Sequence, residues 1–172
     1  NDEIAFDVGG VNIPCGSIMR APFDAYHTDA DTPAGVSSKK FEDTILVIQE
    51  IIYILEKNSI LKRKFAGLPR LSSKKYNLYL SPLNISGVTK KIEMDKLLVK
   101  DMPKKMIKYL HQNQKKLNYL MNILPNMCEG DRTILDIAEF VGLPFRVVNN
   151  YVDMWVSKNL IEKYCVIPFK KT

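Results

Sequence analysis

The chain has 172 residues, 46% hydrophobic and 26% charged, with a formal net charge of +6 at pH 7, an ordinary balance for one globular domain or two small ones. No apolar run is long enough to cross a bilayer, which excludes a membrane-spanning helix. The positive charge is concentrated between Lys57 and Lys116, which permits nucleic acid or an acidic partner but is most simply a solvated basic surface.

The first residues, NDEIAFD, are acidic and carry neither a secretory signal nor a starting methionine, so the chain is expected to begin within a longer protein. Residues 10–20 hold Val11, Ile13 and Ile18 in a short run that predicts a strand, although Pro14 and Gly16 break its alternation. The polar stretch APFDAYHTDADTP, residues 21–33, is a loop, since Pro, Asp and Thr form turns. It leads to Ser37 and Ser38, which can cap a helix from about Lys39 to Lys57. There Phe41, Ile45, Ile48, Ile52 and Leu55 recur every three or four residues, and Val47, Ile51 and Ile54 widen the stripe beyond half the circumference. Such a helix is expected to be buried against a sheet that the preceding residues cannot supply.

Residues 58–103, rich in Ser, Pro, Gly and Asn, read as an irregular connector laid over a surface, with a short strand at Tyr76 to Leu80. From Met106 to Leu124 a helical rhythm returns and stops at Pro125. Thr133 with Asp136 is a variant capping box for a short helix that Gly142 can end. Pro144 opens a third helix with Val148, Tyr151, Val152, Trp155 and Val156 inward, and NLIEKYCVIPF follows as a turn and a hairpin-like strand. Two helices around a tight Gly-containing turn, then a β element, predict a winged helix-turn-helix.

Chemistry-bearing residues are few. Cys15, Cys128 and Cys165 lie too far apart for a zinc knuckle or a disulfide framework, and read as buried or free thiols in a reducing cytoplasm. Of the two histidines, His111 sits in an amphipathic helix as a surface residue, whereas His27 sits in the polar loop with Asp24, Asp29 and Asp31. A zinc site needs three or four N, O or S donors, and no recognisable motif in this chain supplies a closed set.

VNIPCGSIMR (residues 11–20) followed by YHTDAD (residues 26–31) resembles the last strand and active-site loop of co-catalytic zinc aminopeptidases. More closely, it resembles bacterial aminopeptidase-like proteins associated with polysaccharide biosynthesis, in which an aminopeptidase-type α/β domain precedes a C-terminal winged helix. ILDIAEFVGLPF (residues 134–145) falls in that family's order as well. The resemblance implies that His27 is the family's final metal-binding histidine, with one or two zinc ions held in the complete protein. The other ligands and the general-base glutamate precede this loop in the family and are not in this chain, which alone is expected to be inactive. In such enzymes metal-activated water attacks an N-terminal peptide or related amide while a carboxylate takes its proton. Tyr26 and Asp31 stand where they could support the ligand or the substrate, Asp31 by accepting the imidazole's other N–H or simply by closing a turn. Arg20 could pair with an anionic substrate group, though a structural ion pair is its commoner use.

The resulting expectation is an α/β fold class. Residues 1–60 form the last strand, loop and helix of an aminopeptidase-like domain, 61–103 a basic connector and 104–172 a mainly α winged helix-turn-helix domain. The expected partners are the N-terminal remainder of the same protein, a peptide-like or amide substrate and a second copy of the chain, in the cytoplasm and away from membranes. The alternative is a DNA-binding or protein-interaction module without catalysis, for which Arg146, Asn149 and Asn150 are the outward donors of the third helix. One arginine set against Asp153, with Asp136 and Glu139 on the preceding helix, makes nucleic acid the weaker of these partners.

Overall fold

The computed structural model describes residues 3–11, 13–80 and 97–166. The chain divides into two compact units, Asn1–Leu46 and Val47–Thr172. This division falls inside a helix, whereas the boundary expected at 60/61 falls inside a strand.

The first unit holds helix α1 (Glu3–Phe6), a 3-10 turn at Pro33–Gly35 and the start of helix α2 (Ser38–Lys57). The strand expected over residues 10–20 does not form, and its described residues are irregular. Pro14 lacks the N–H a ladder needs, and no described residue of this unit offers a strand to pair with. The start of α2 follows expectation, with the Ser37 hydroxyl accepting from the Lys40 N–H at 3.4 Å. Its burial does not. None of its residues is fully buried, and most of its apolar stripe stays open, with Phe41 62% and Leu55 75% exposed, although Ile54 and Tyr53 near its end pack half-buried against the core.

The second unit contains strand β1 (Ser59–Arg63), helices α3 (Lys104–Gln112) and α4 (Gln114–Ile123), and strand β2 (Glu129–Thr133). Helices α5 (Ile134–Val141) and α6 (Phe145–Ser157) and strand β3 (Ile161–Cys165) complete it. The three strands form one antiparallel sheet in the order β2-β1-β3. Strand β3 is therefore present, but its partner is the upstream strand β1, in continuous register from Ser59↔Cys165 to Arg63↔Ile161. The β1–β2 ladder slips between Ile60↔Thr133 and Lys62↔Glu129, and Gly130, at φ +96°, supplies the left-handed residue that the extra length of β2 requires.

The sheet and helices enclose a core built on Trp155, Tyr151, Leu110, Leu120, Leu124 and Ile137. The supposed surface connector enters it too, since Leu61, Leu71, Leu78 and Leu98 are all buried. No strand forms at Tyr76–Leu80. Leu78 instead reaches back with its N–H to the Leu71 carbonyl, and its own carbonyl accepts from the Tyr151 hydroxyl at 2.8 Å. Residues 81–96 of that connector, and the tail lysines 170 and 171, lie outside the described residues. The Thr133–Asp136 capping box and the left-handed Gly142 C-cap of α5 form as the sequence leads one to expect. Among the described residues no helix is long and apolar enough to cross a membrane.

Candidate functional site

Residues 23–32 are a chain of tight turns. Tyr26 donates to the Phe23 carbonyl, Thr28 to Ala25, Asp31 to Thr28 and Thr32 to Ala30. The Thr28 side chain locks the middle of the loop, its hydroxyl donating to the Ala25 carbonyl at 2.6 Å and accepting from the Ala30 N–H at 3.2 Å. Between these anchors His27 takes φ +62°, a left-handed backbone that costs a residue with a Cβ about 1 kcal/mol or more. The conformation turns successive side chains toward one another: the His27 ring stacks on Tyr26 at 3.9 Å, and Phe23 meets Tyr26 edge-on at 6.0 Å. His27, Tyr26 and Asp31 are all exposed.

The sequence-predicted partners do not converge on His27. Asp31 makes no hydrogen bond to the imidazole among the described residues, and no three His, Cys, Asp or Glu side chains there gather closely enough to hold a metal ion. Arg20 is engaged elsewhere. Its guanidinium donates to the Lys40 carbonyl at 2.8 Å and to the Thr44 hydroxyl at 2.9 Å, fastening the loop's beginning to α2. Beside it lies an open cleft of about 730 Å³ whose walls include Arg20, Phe23, Asp24 and Phe41, but not His27.

In the second unit, the face of α6 expected to point outward is used for packing. Arg146 pairs with Glu50 at 2.7 Å and lies 3.8 Å over the Tyr53 ring. Asn149, only 1% exposed, donates to the Tyr53 hydroxyl and to Asp153, both at 3.1 Å, and its carbonyl accepts from Lys163 at 2.8 Å. Lys163 also pairs with Asp153 at 2.6 Å. Asn150 donates to the Leu98 and Lys100 carbonyls. Burial raises the Tyr53 hydroxyl pKa, and the Arg146 charge partly opposes that rise. Glu50, Tyr53 and Lys163 were not singled out in the sequence as parts of one network. The only signal was Glu50 itself, a charge inside an apolar run.

The thiols offer no nucleophile in the core. Cys128 is buried, its S–H donating to the Leu124 carbonyl, and burial pushes its pKa up to about 12.

Residues 1–58 match the family model described as a domain of unknown function, DUF4910. Over 60 residues the chain is 38% identical to a Clostridium acetobutylicum protein named for polysaccharide biosynthesis and an aminopeptidase-like domain. That stretch is 34% of this chain and 14% of the relative, so the chain spans only a small part of the curated protein it matches. The link to aminopeptidase-like proteins thus rests on about a third of the chain. No solved structure matches the chain.

Proposed function

We propose that residues 1–58 contribute to a zinc-dependent aminopeptidase-like hydrolase domain and that His27 is one of its metal ligands. The observation that carries this reading is the exposed His27 imidazole, held in a left-handed loop conformation by flanking turns, inside residues 1–58, which match the DUF4910 family model. The open apolar side chains of the same unit support the same reading. Ile13, Ile18, Phe23, Phe41 and Ile45 are each at least 40% exposed, the condition of a domain surface waiting for the rest of its core.

The described residues do not fit a complete zinc site, because one imidazole is not a tetrahedral donor set. The other donors and the base belong, on this reading, to polypeptide beyond these residues, and no catalytic step is assigned to this chain. Tyr26 is the group that orients the imidazole, through ring stacking. Arg20 holds the loop to α2 rather than meeting substrate. The substrate class is an N-terminal peptide or related amide, and the setting is cytoplasmic, in keeping with three unpaired cysteines. The whole protein should hydrolyse an aminoacyl p-nitroanilide, lose that activity to 1,10-phenanthroline and regain it with added zinc. Hydrolysis indifferent to the chelator contradicts the reading.

For the C-terminal part we infer a winged helix used for packing, with β1 taking the central position in its sheet. The rival DNA-binding use needs Arg146, Asn149 and Asn150 free to meet phosphates and base edges. The engagement of all three with Glu50, Tyr53, Leu98 and Lys100 favours packing. Tight, salt-dependent binding of duplex DNA by the intact chain would reverse that preference.

A further inference from the structure

We propose that a groove between α3 and the α5–α6 turn docks an extended, acidic segment of a partner protein through two apolar side chains. This inference stands apart from the metal reading, since every residue it uses lies in the second unit.

The groove has two apolar stations. The first is a pocket of about 300 Å³ lined by Pro103, Lys105, Met106, Tyr109 and Pro144, with walls that are almost wholly carbon. The second is the stacked pair Tyr119–Phe140, 6.3 Å between centroids, with the two rings 47% and 60% exposed. Phe140 and Pro144, one from each station, are four residues apart in the chain, so their Cα atoms are separated by at most ~14 Å, the reach of four extended residues. Between them Lys116 donates to the Gly142 carbonyl at 2.9 Å and lies 3.4 Å from the Tyr109 hydroxyl, which fixes the groove's floor across the C-terminus of α5.

Charge selects the occupant. Lys104, Lys105 and Lys108 on α3 and Lys115 on α4 are exposed, and none of them has an ion-pair partner among the described residues. An acidic segment would meet these lysines while two of its side chains fill the stations. A base of single-stranded nucleic acid would also be drawn by the lysines and could stack on the ring pair. The pocket, however, offers its polar edge no hydrogen-bond partner, so a peptide side chain suits it better.

The probe is a fluorescein-labelled peptide of Glu and Asp carrying one Leu and one Phe four positions apart, titrated against the whole chain by anisotropy. Binding should weaken about tenfold in the triple variant Lys104→Ala, Lys105→Ala, Lys108→Ala, and by less than about twofold when Lys62, Lys74 and Lys75 are replaced instead. A peptide with Ser in place of Leu and Phe should bind about tenfold more weakly. All six lysines are exposed and none is in the core, so near-ultraviolet circular dichroism from Trp155 should report an unchanged fold. No binding of the parent peptide, equal loss in both triple variants, equal binding of the Ser peptide, or an oligothymidylate that binds more tightly than the peptide would each overturn the proposal.

Discussion

At the scale of single residues, side chains with the same sequence signature have different fates. His27 and Arg20 sit seven positions apart in polar surroundings, yet Arg20 is tied to α2 by two hydrogen bonds while the His27 ring is held only by stacking and remains open to solvent. The cysteines divide in the same way. Cys15 and Cys165 are exposed, whereas Cys128 is buried with its pKa near 12, so an aromatic disulfide reagent should titrate two thiols rapidly at neutral pH and the third only in denaturant. Rapid reaction of all three would contradict the burial of Cys128. Arg146 is a polar residue with much to lose. Replacing it with Ala removes an ion pair and a cation–π contact, and should cost about 1–2 kcal/mol in urea melts, a range kept low because Glu50 is 47% exposed. The sequence marked Arg146, Asn149 and Asn150 as outward donors. The partners that absorb them, Glu50 and Tyr53, lie 96 residues upstream of Arg146 and Asn149 respectively, beyond the reach of helical periodicity.

Among the elements, those defined by local chemistry were legible and those defined by distant partners were not. The ends of α2, the capping box and Gly142 cap of α5, and the inward face of α6 all follow from residues within one or two turns. Thr133→Ala should therefore destabilise the chain by about 1 kcal/mol. Gly142→Ala should cost at least as much, because its φ of +66° is unfavourable for a Cβ that would also stand 3.2 Å from the Lys116 ammonium. Strand β1 escaped notice because its five residues, SILKR, alternate too briefly to stand out from irregular sequence, and its strand character is conferred by β2 and β3, which lie 66 or more residues later. The strand expected at residues 10–20 failed for the converse reason, an apolar pattern with no neighbouring strand in its unit among the described residues to complete it.

For the whole molecule, the two units differ in how far they satisfy themselves. Val47–Thr172 has its own core, and β1 is the middle strand of its sheet. A fragment of residues 104–172 should consequently lose fixed tertiary structure, with weak near-ultraviolet dichroism and poor amide dispersion, while residues 38–172 fold cooperatively. A well-dispersed spectrum from the shorter fragment would show that β1 is dispensable. Residues 4–46, by contrast, bury no side chain among those described, although Phe23, Phe41 and Ile45 are the residues from which cores are made. The loop on which the proposed function depends belongs to that same unit. The most direct test is the zinc content of the whole protein, purified without added metal, before and after His27→Ala. The account predicts a loss of at least half the bound zinc with the fold retained, since His27 is exposed and makes no buried contact. Zinc content unchanged by the substitution, or no zinc in the parent protein even after exposure to the metal, would contradict it.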